Sequence, residues 1–235
     1  MVSAEPPSVR VGCAGLPPRM SRQAYFERLA FLEIASPPQL TDAAVARWRK
    51  EVPATARVAV AVTVGPRDLS AAAVVAGPAG RLAAALEAEV IVVQTPPEVT
   101  PSASNRSDLQ RFFGELGESA GAWGGLLAWR PAGLWEPAES VRLAAAMGAL
   151  WAFDPVAPDP LDELSAVADQ ALAGGQAYLR PGAAGRGRGL RDDELEALAE
   201  LCAGLERAWV AFEGVASHRM AARLSRALEQ ATDRA

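Results

Sequence analysis

The sequence predicts an α/β fold of the (β/α)8 TIM-type barrel, with eight parallel strands each followed by a helix. Three observations predict it. Eight short apolar, β-branched runs recur along 235 residues. Each is followed by a longer stretch with helical spacing. Taking Cys13, Glu33, Thr63, Gln94, Arg130, Asp154, Arg180 and Glu213 as the run ends, the steps between them are 20, 30, 31, 36, 24, 26 and 33 residues. A βα unit takes roughly 30 residues, and such barrels typically run to ~250 residues. The rival is an open doubly wound sheet. It seldom needs eight units, and no GxGxxG follows the first run.

The first run is Val9–Cys13. Ser21 then caps a helix reaching about Ala30, with Tyr25, Phe26 and Leu29 at helical spacing. The second run is Phe31–Ile34, and Thr41 and Asp42 open a helix through Trp48. The third run, Arg57 to Val64, alternates valine with alanine and carries little charge, as a doubly covered parallel strand should. Leu69 to Glu87 reads as helix broken at Gly77-Pro78. Glu89–Gln94 is the fourth run, and Ser107 to Leu116 the helix after it. Gly125–Arg130 is stopped by Pro131, and Pro137–Met147 is helical. Ala149–Asp154 is followed by a helix over Leu161–Ala173, ended by Gly174-Gly175. Gln176–Arg180 precedes a glycine-rich loop and a helix from Asp192 to Glu206. Ala208–Phe212 is the last strand, and Ser217 to Thr232 the closing helix.

Composition bounds the function. Half the residues are hydrophobic, which excludes disorder and suits a single domain over residues 1–235. A net charge of −5 disfavours nucleic acid as a partner. Two cysteines make no disulfide framework, and a single histidine, His218, excludes sites built from several histidines. No metal and no cofactor is therefore expected, although a magnesium site made only of carboxylates stays open. The N-terminus lacks a basic segment followed by an apolar one, and no apolar run approaches the ~18 residues of a membrane span. These features predict a cytoplasmic protein with no membrane partner, and they name no protein partner. Of 23 basic residues only Lys50 is a lysine, which reads as compositional bias.

Barrel chemistry sits at the C-terminal ends of the strands. The candidate acid–base residues there are Glu33, Asp154 and Glu213. Gln94, Arg130 and Arg180 are candidate ligand-binding residues. Each of these polar residues could equally mark where core gives way to solvent, or join a structural ion-pair network. The loop after the seventh run reads Pro181-Gly182-Ala183-Ala184-Gly185-Arg186-Gly187-Arg188-Gly189. Barrels often bind phosphate after strands seven and eight. Glycine lets backbone N–H groups approach an anion, and arginine forks onto its oxygens. Gly182, Arg186 and Arg188 thus join Arg180 as an expected anion rim, against the bland reading of a solvated glycine-rich loop. Cys13 with His218 could form a nucleophile pair between neighbouring strands one and eight. A packed thiol is the simpler reading.

The run ends also resemble a known family. VGCAG at Val11–Gly15, LEIAS at Leu32–Ser36, VQTPP at Val93–Pro97, LAWRP at Leu127–Pro131 with Trp135, and AYLRPG at Ala177–Gly182 resemble motifs of the YecE-like family, domain of unknown function 72. The resemblance spans nearly the whole chain and implies the same barrel. It keeps Glu33, Gln94, Arg130, Asp154, Tyr178 and Arg180, and so adds Tyr178 to the expected ligand-binding set. It loses several polar positions: Ala35, Ala61, Ala128, Pro131, Pro181, Glu213 and Gly214 stand where the family has other residues. The chain thus resembles a divergent member that binds a small phosphate- or carboxylate-bearing molecule at the C-terminal mouth, with the family's own chemistry gone. The alternatives are a metal-independent enzyme using Glu33, Asp154 or Glu213 as acid–base, and a structural partner protein without a ligand.

Overall fold

The computed structural model describes residues 8–35, 41–120, 123–156, 162–182 and 189–232. Eight strands close into a barrel in the order β1 to β8, and the registers resolved between neighbours are parallel. The strands are β1 (Ser8–Ala14), β2 (Phe31–Ala35), β3 (Arg57–Thr63), β4 (Val90–Thr95), β5 (Leu126–Pro131), β6 (Ala149–Phe153), β7 (Gln176–Leu179) and β8 (Arg207–Phe212). The helices are α1 (Arg22–Phe26), α2 (Asp42–Glu51), α3 (Pro66–Ser70), α4 (Ala72–Leu86), α5 (Ala103–Ala120), α6 (Pro137–Ala146), α7 (Asp162–Leu172), α8 (Asp192–Ala203) and α9 (Ser217–Thr232). The contacts divide the chain into two compact units: Met1–Leu32 with Phe153–Ala235, and Glu33–Ala152. Among the described residues no helix is long and apolar enough to cross a membrane.

Local chemistry explains most boundaries. The Ser21 hydroxyl accepts from the Ala24 N–H at 3.1 Å and the Thr41 hydroxyl from the Ala44 N–H at 3.3 Å, so both caps expected from sequence start helices. Helix α5 begins earlier than expected because Ser102, not Ser107, caps it: its hydroxyl accepts from Asn105 N–H at 3.1 Å. Helix α1 stops at Phe26, well short of Ala30. Strand β5 carries Pro131, which pairs in register with Thr95, and Ala132 supplies the next N–H to the Thr95 carbonyl.

The expected break at Gly77-Pro78 is absent. Helix α4 runs through Pro78, and the interruption falls at Ala71 between α3 and α4. Proline removes one helical hydrogen bond and crowds the carbonyl four residues back, a penalty of about 3 kcal/mol. Here that carbonyl belongs to Val74, which is 72% exposed. The opposite face buries Ala72, Ala76, Ala79, Gly80 and Ala83 with Leu82. This small-residue face lets the helix lie close to its neighbours, and tertiary burial overrides the local preference.

In the first unit a buried phenol joins two strands. Tyr25 is fully buried. Its hydroxyl accepts from the Cys13 N–H at 2.9 Å and donates to the Phe31 carbonyl at 2.6 Å. The phenol thus satisfies one backbone group at the end of β1 and another at the start of β2. Gly12 makes this possible. A Cβ at residue 12 would lie 2.6 Å from the Phe31 carbonyl carbon and closer still to its oxygen. A glycine inside a strand often marks such a close approach.

Candidate functional site

Each unit carries polar residues at its strand ends. In the second unit, Glu33 of β2 is 3% exposed, and its Oε1 accepts from Gln94 Nε2 of β4 at 3.3 Å. Strand β3 lies between β2 and β4, so the two side chains meet over it on the inner face of the sheet. Thr63 of β3 and Arg130 of β5 flank Gln94 in register, which puts them on the same face. Trp129 points the other way. Its indole N–H donates to Thr95 Oγ1 at 3.2 Å, and its ring packs edge-on against Trp135 with centroids 5.0 Å apart. Trp129 and Trp135 are both buried, as core residues rather than ligand platforms.

In the first unit, Arg180 follows the last residue of β7 and is 2% exposed. Its guanidinium donates to Glu213 Oε1. The main chain beside this pair is tied in the same place. The Glu213 N–H donates to the Pro181 carbonyl at 3.1 Å, and the Arg180 N–H to the Phe153 carbonyl at 2.8 Å. Tyr178 of β7 lies two residues before Arg180 and is fully buried, in register with Trp209.

Asp154 follows β6 and is a clamp. Oδ1 accepts from the Val156 N–H at 3.0 Å, and Oδ2 accepts from the Gly182 N–H at 3.1 Å. The first bond is a local Asx turn. The second ties the segment after β6 to the segment after β7. The sequence offered Asp154 as an acid–base candidate and the Gly182 amide as an anion donor; in the structure each holds the other. Gly182 has φ +90°, and a Cβ there would stand 3.1 Å from the Glu213 carbonyl oxygen. Arg186 and Arg188 lie outside the described residues.

Cys13 is buried at the end of β1. Burial raises its thiol pKa, against the lowering effect of hydrogen bonds from Ser217 and Tyr25. A thiol held protonated this way is packing rather than a nucleophile. Tyr25 is pushed up too, by burial first and by the Cys13 charge second. Among the described residues no group of three or more His, Cys, Asp or Glu could hold a metal ion. The sequence puts six polar residues at the run ends but does not give their pairing, which depends on which strands become neighbours. Nor does it give the Tyr25 bridge, for which Gly12 inside a strand was the available signal.

The closed barrel is what the chain shares with solved structures. Its fold is shared with solved DUF72 barrels. A DUF72 family protein from Enterococcus faecalis superposes with a TM-score of 0.66 at 15% identity, covering 94% of this chain and 95% of that one. A DUF72 family protein from Thermotoga maritima gives 0.63 at 16% identity, covering 94% and 99%. A D-allulose 3-epimerase from Methylomonas sp. gives 0.66 at 13% identity, covering 97% and 99%. No family model matches the sequence, and no curated protein matches it. At these identities the DUF72 and epimerase likenesses establish a shared fold, and function has to be argued from the residues.

Proposed function

We propose that this protein binds a small anionic molecule, bearing phosphate or carboxylate, at the C-terminal ends of β7 and β8, with Arg180 as the anchoring cation. The buried Arg180 carries this reading. Taking a charge out of water costs several kcal/mol, and a buried ion pair is often no more stable than apolar residues of similar volume. The chain fills its strand bodies with valine, alanine and leucine. A cation at the end of β7 is therefore poorly explained by stability and well explained by recognition. Its place agrees with the general preference of these barrels for anions after strands seven and eight.

Thermal unfolding against a panel of phosphorylated and carboxylated metabolites tests it. A ligand at 100 times its Kd adds about 2.7 kcal/mol, a rise of about 5–10 °C for a chain of this size. Arg180→Ala, referred to its own ligand-free midpoint, is expected to lose that rise. No rise across the panel, or a rise that survives Arg180→Ala, overturns the proposal.

A second reading, a metal-independent enzyme, is favoured by one observation: Glu33 is a buried carboxylate held by a side-chain amide. Such a group suits proton transfer, whereas Asp154 is committed to two backbone amides and Glu213 to Arg180. Turnover of a panel compound, abolished in Glu33→Gln, would support it.

A further inference from the structure

We infer that the second unit carries a site for a neutral polyhydroxylated molecule, a sugar or polyol, built on Thr63, Gln94 and Arg130 and aimed by Glu33. The site lies wholly within that unit and does not use Arg180. Thr63 of β3, Gln94 of β4 and Arg130 of β5 stand in one register across three adjacent strands. Neighbouring strands lie about 4.8 Å apart, so the row offers a hydroxyl, an amide and a guanidinium side by side at the strand ends. Thr63 is exposed, and Gln94 and Arg130 are half-buried. Two residues earlier on the same face lies a second row, Ala61, Val92 and Ala128, all buried and two of them small. An apolar row under a polar one matches a molecule with C–H groups on one side and hydroxyls on another.

Glu33 decides how Gln94 is presented. It is 3% exposed, and its Oε1 accepts from Gln94 Nε2 at 3.3 Å. The two ends of a glutamine amide differ, since one donates and the other accepts. The donor end is thus turned to Glu33, and the accepting Oε1 is turned from it. Thr63 both donates and accepts, Gln94 Oε1 accepts, and Arg130 only donates. A hydroxyl does both, so one molecule with several hydroxyls serves all three groups. Charged ligands fare worse. A carboxylate or phosphate suits Arg130 but is repelled by the Gln94 oxygen and the Glu33 carboxylate. An ammonium suits those two but is repelled by Arg130. Opposite charges on either side of Gln94 thus select against both ionic classes.

Nitrogen-resolved NMR at fixed pH and ionic strength tests the site, with xylitol and inositol as probes and acetate and methylammonium as charged controls. The Gln94 side-chain amide and the Thr63 N–H are expected to follow one saturating curve with at least one polyol, and neither control to match it. Thr63→Val keeps the branched shape at an exposed position and removes only the hydroxyl. It is expected to raise the polyol Kd about two- to tenfold, the loss of one neutral hydrogen bond. Glu33→Gln offers Gln94 a partner that takes either end of its amide. It is expected to weaken polyol binding and to give the Gln94 side chain a second set of signals in the free chain, which a merely structural role would not produce. No saturating response to either polyol, a tighter response to acetate or methylammonium at these two groups, or a Kd unchanged by Thr63→Val overturns the inference. A folded Glu33→Gln chain that binds as the natural chain does overturns the aiming role.

Discussion

Replacing Tyr25 by phenylalanine removes one oxygen and keeps the ring, so it isolates the bridge between β1 and β2. The hydroxyl serves two backbone groups, the Cys13 N–H at 2.9 Å and the Phe31 carbonyl at 2.6 Å. Tyr25 and Phe31 are fully buried, as is Cys13, so water cannot take the hydroxyl's place. Leaving a buried backbone group unsatisfied costs about 1–3 kcal/mol. Two such groups give about 2–6 kcal/mol for Tyr25→Phe. The edge-on contact with Phe26, centroids 5.3 Å apart, survives the change and contributes nothing to the difference. Urea unfolding followed by circular dichroism and by fluorescence measures the loss, provided both probes give one midpoint. Exchange of the Cys13 amide in the folded state should rise with it. A loss under about 1 kcal/mol, less than one orphaned group, would refute the bridge as a structural element.

Further outcomes follow from the same geometry. Gly12→Ala drives a Cβ into the Phe31 carbonyl and within 2.9 Å of the Tyr25 hydroxyl; a loss of at least about 3 kcal/mol is expected, and a melting point within about 3 °C of the natural chain would contradict the close approach. Asp154→Ala removes the acceptor of the Val156 and Gly182 amides; hydrogen exchange should show both amides losing protection together, and loss at only one would dissolve the clamp. Burial lifts the Cys202 thiol from its ordinary 9.0 to about 12. The folded chain then holds this proton where the unfolded chain has lost it, so stability falls as pH rises from 9 toward 12, by up to about 1.4 kcal/mol per unit. Cys13 acts in the same direction. Between pH 8 and pH 10.5 Cys202→Ala should lose about 2 kcal/mol less than the natural chain, as read from urea midpoints; equal losses would contradict the burial account.

The barrel was legible because each strand is a compact apolar run with its own stop signal, and period alone separates it from the helix that follows. Ser21, Thr41 and the whole of α9 were readable from local chemistry. The course of α4 was not. Pro78 is a strong local signal, and only the burial of Ala72, Ala76, Ala79 and Ala83 on one side outweighs it. The candidate site was legible as a set of residues and illegible as a set of contacts. Arg180 and Glu213 stand 33 positions apart, and Glu33 and Gln94 stand 61 apart. Their partners are chosen by strand order and register, which no local window contains. Asp154 shows the consequence: a carboxylate at a strand end reads as an acid–base candidate, and its two bonds to backbone amides make it a brace.

Nitrogen-resolved NMR during titration with inorganic phosphate at pH 8 tests the anion site most directly. The Nε–H of Arg180 and the amides of Gly182 and Glu213 are expected to shift together along one saturating curve, and Arg180→Ala to abolish the response. Saturating shifts confined to other parts of the chain, or none at these three groups, would contradict an anion site built on Arg180.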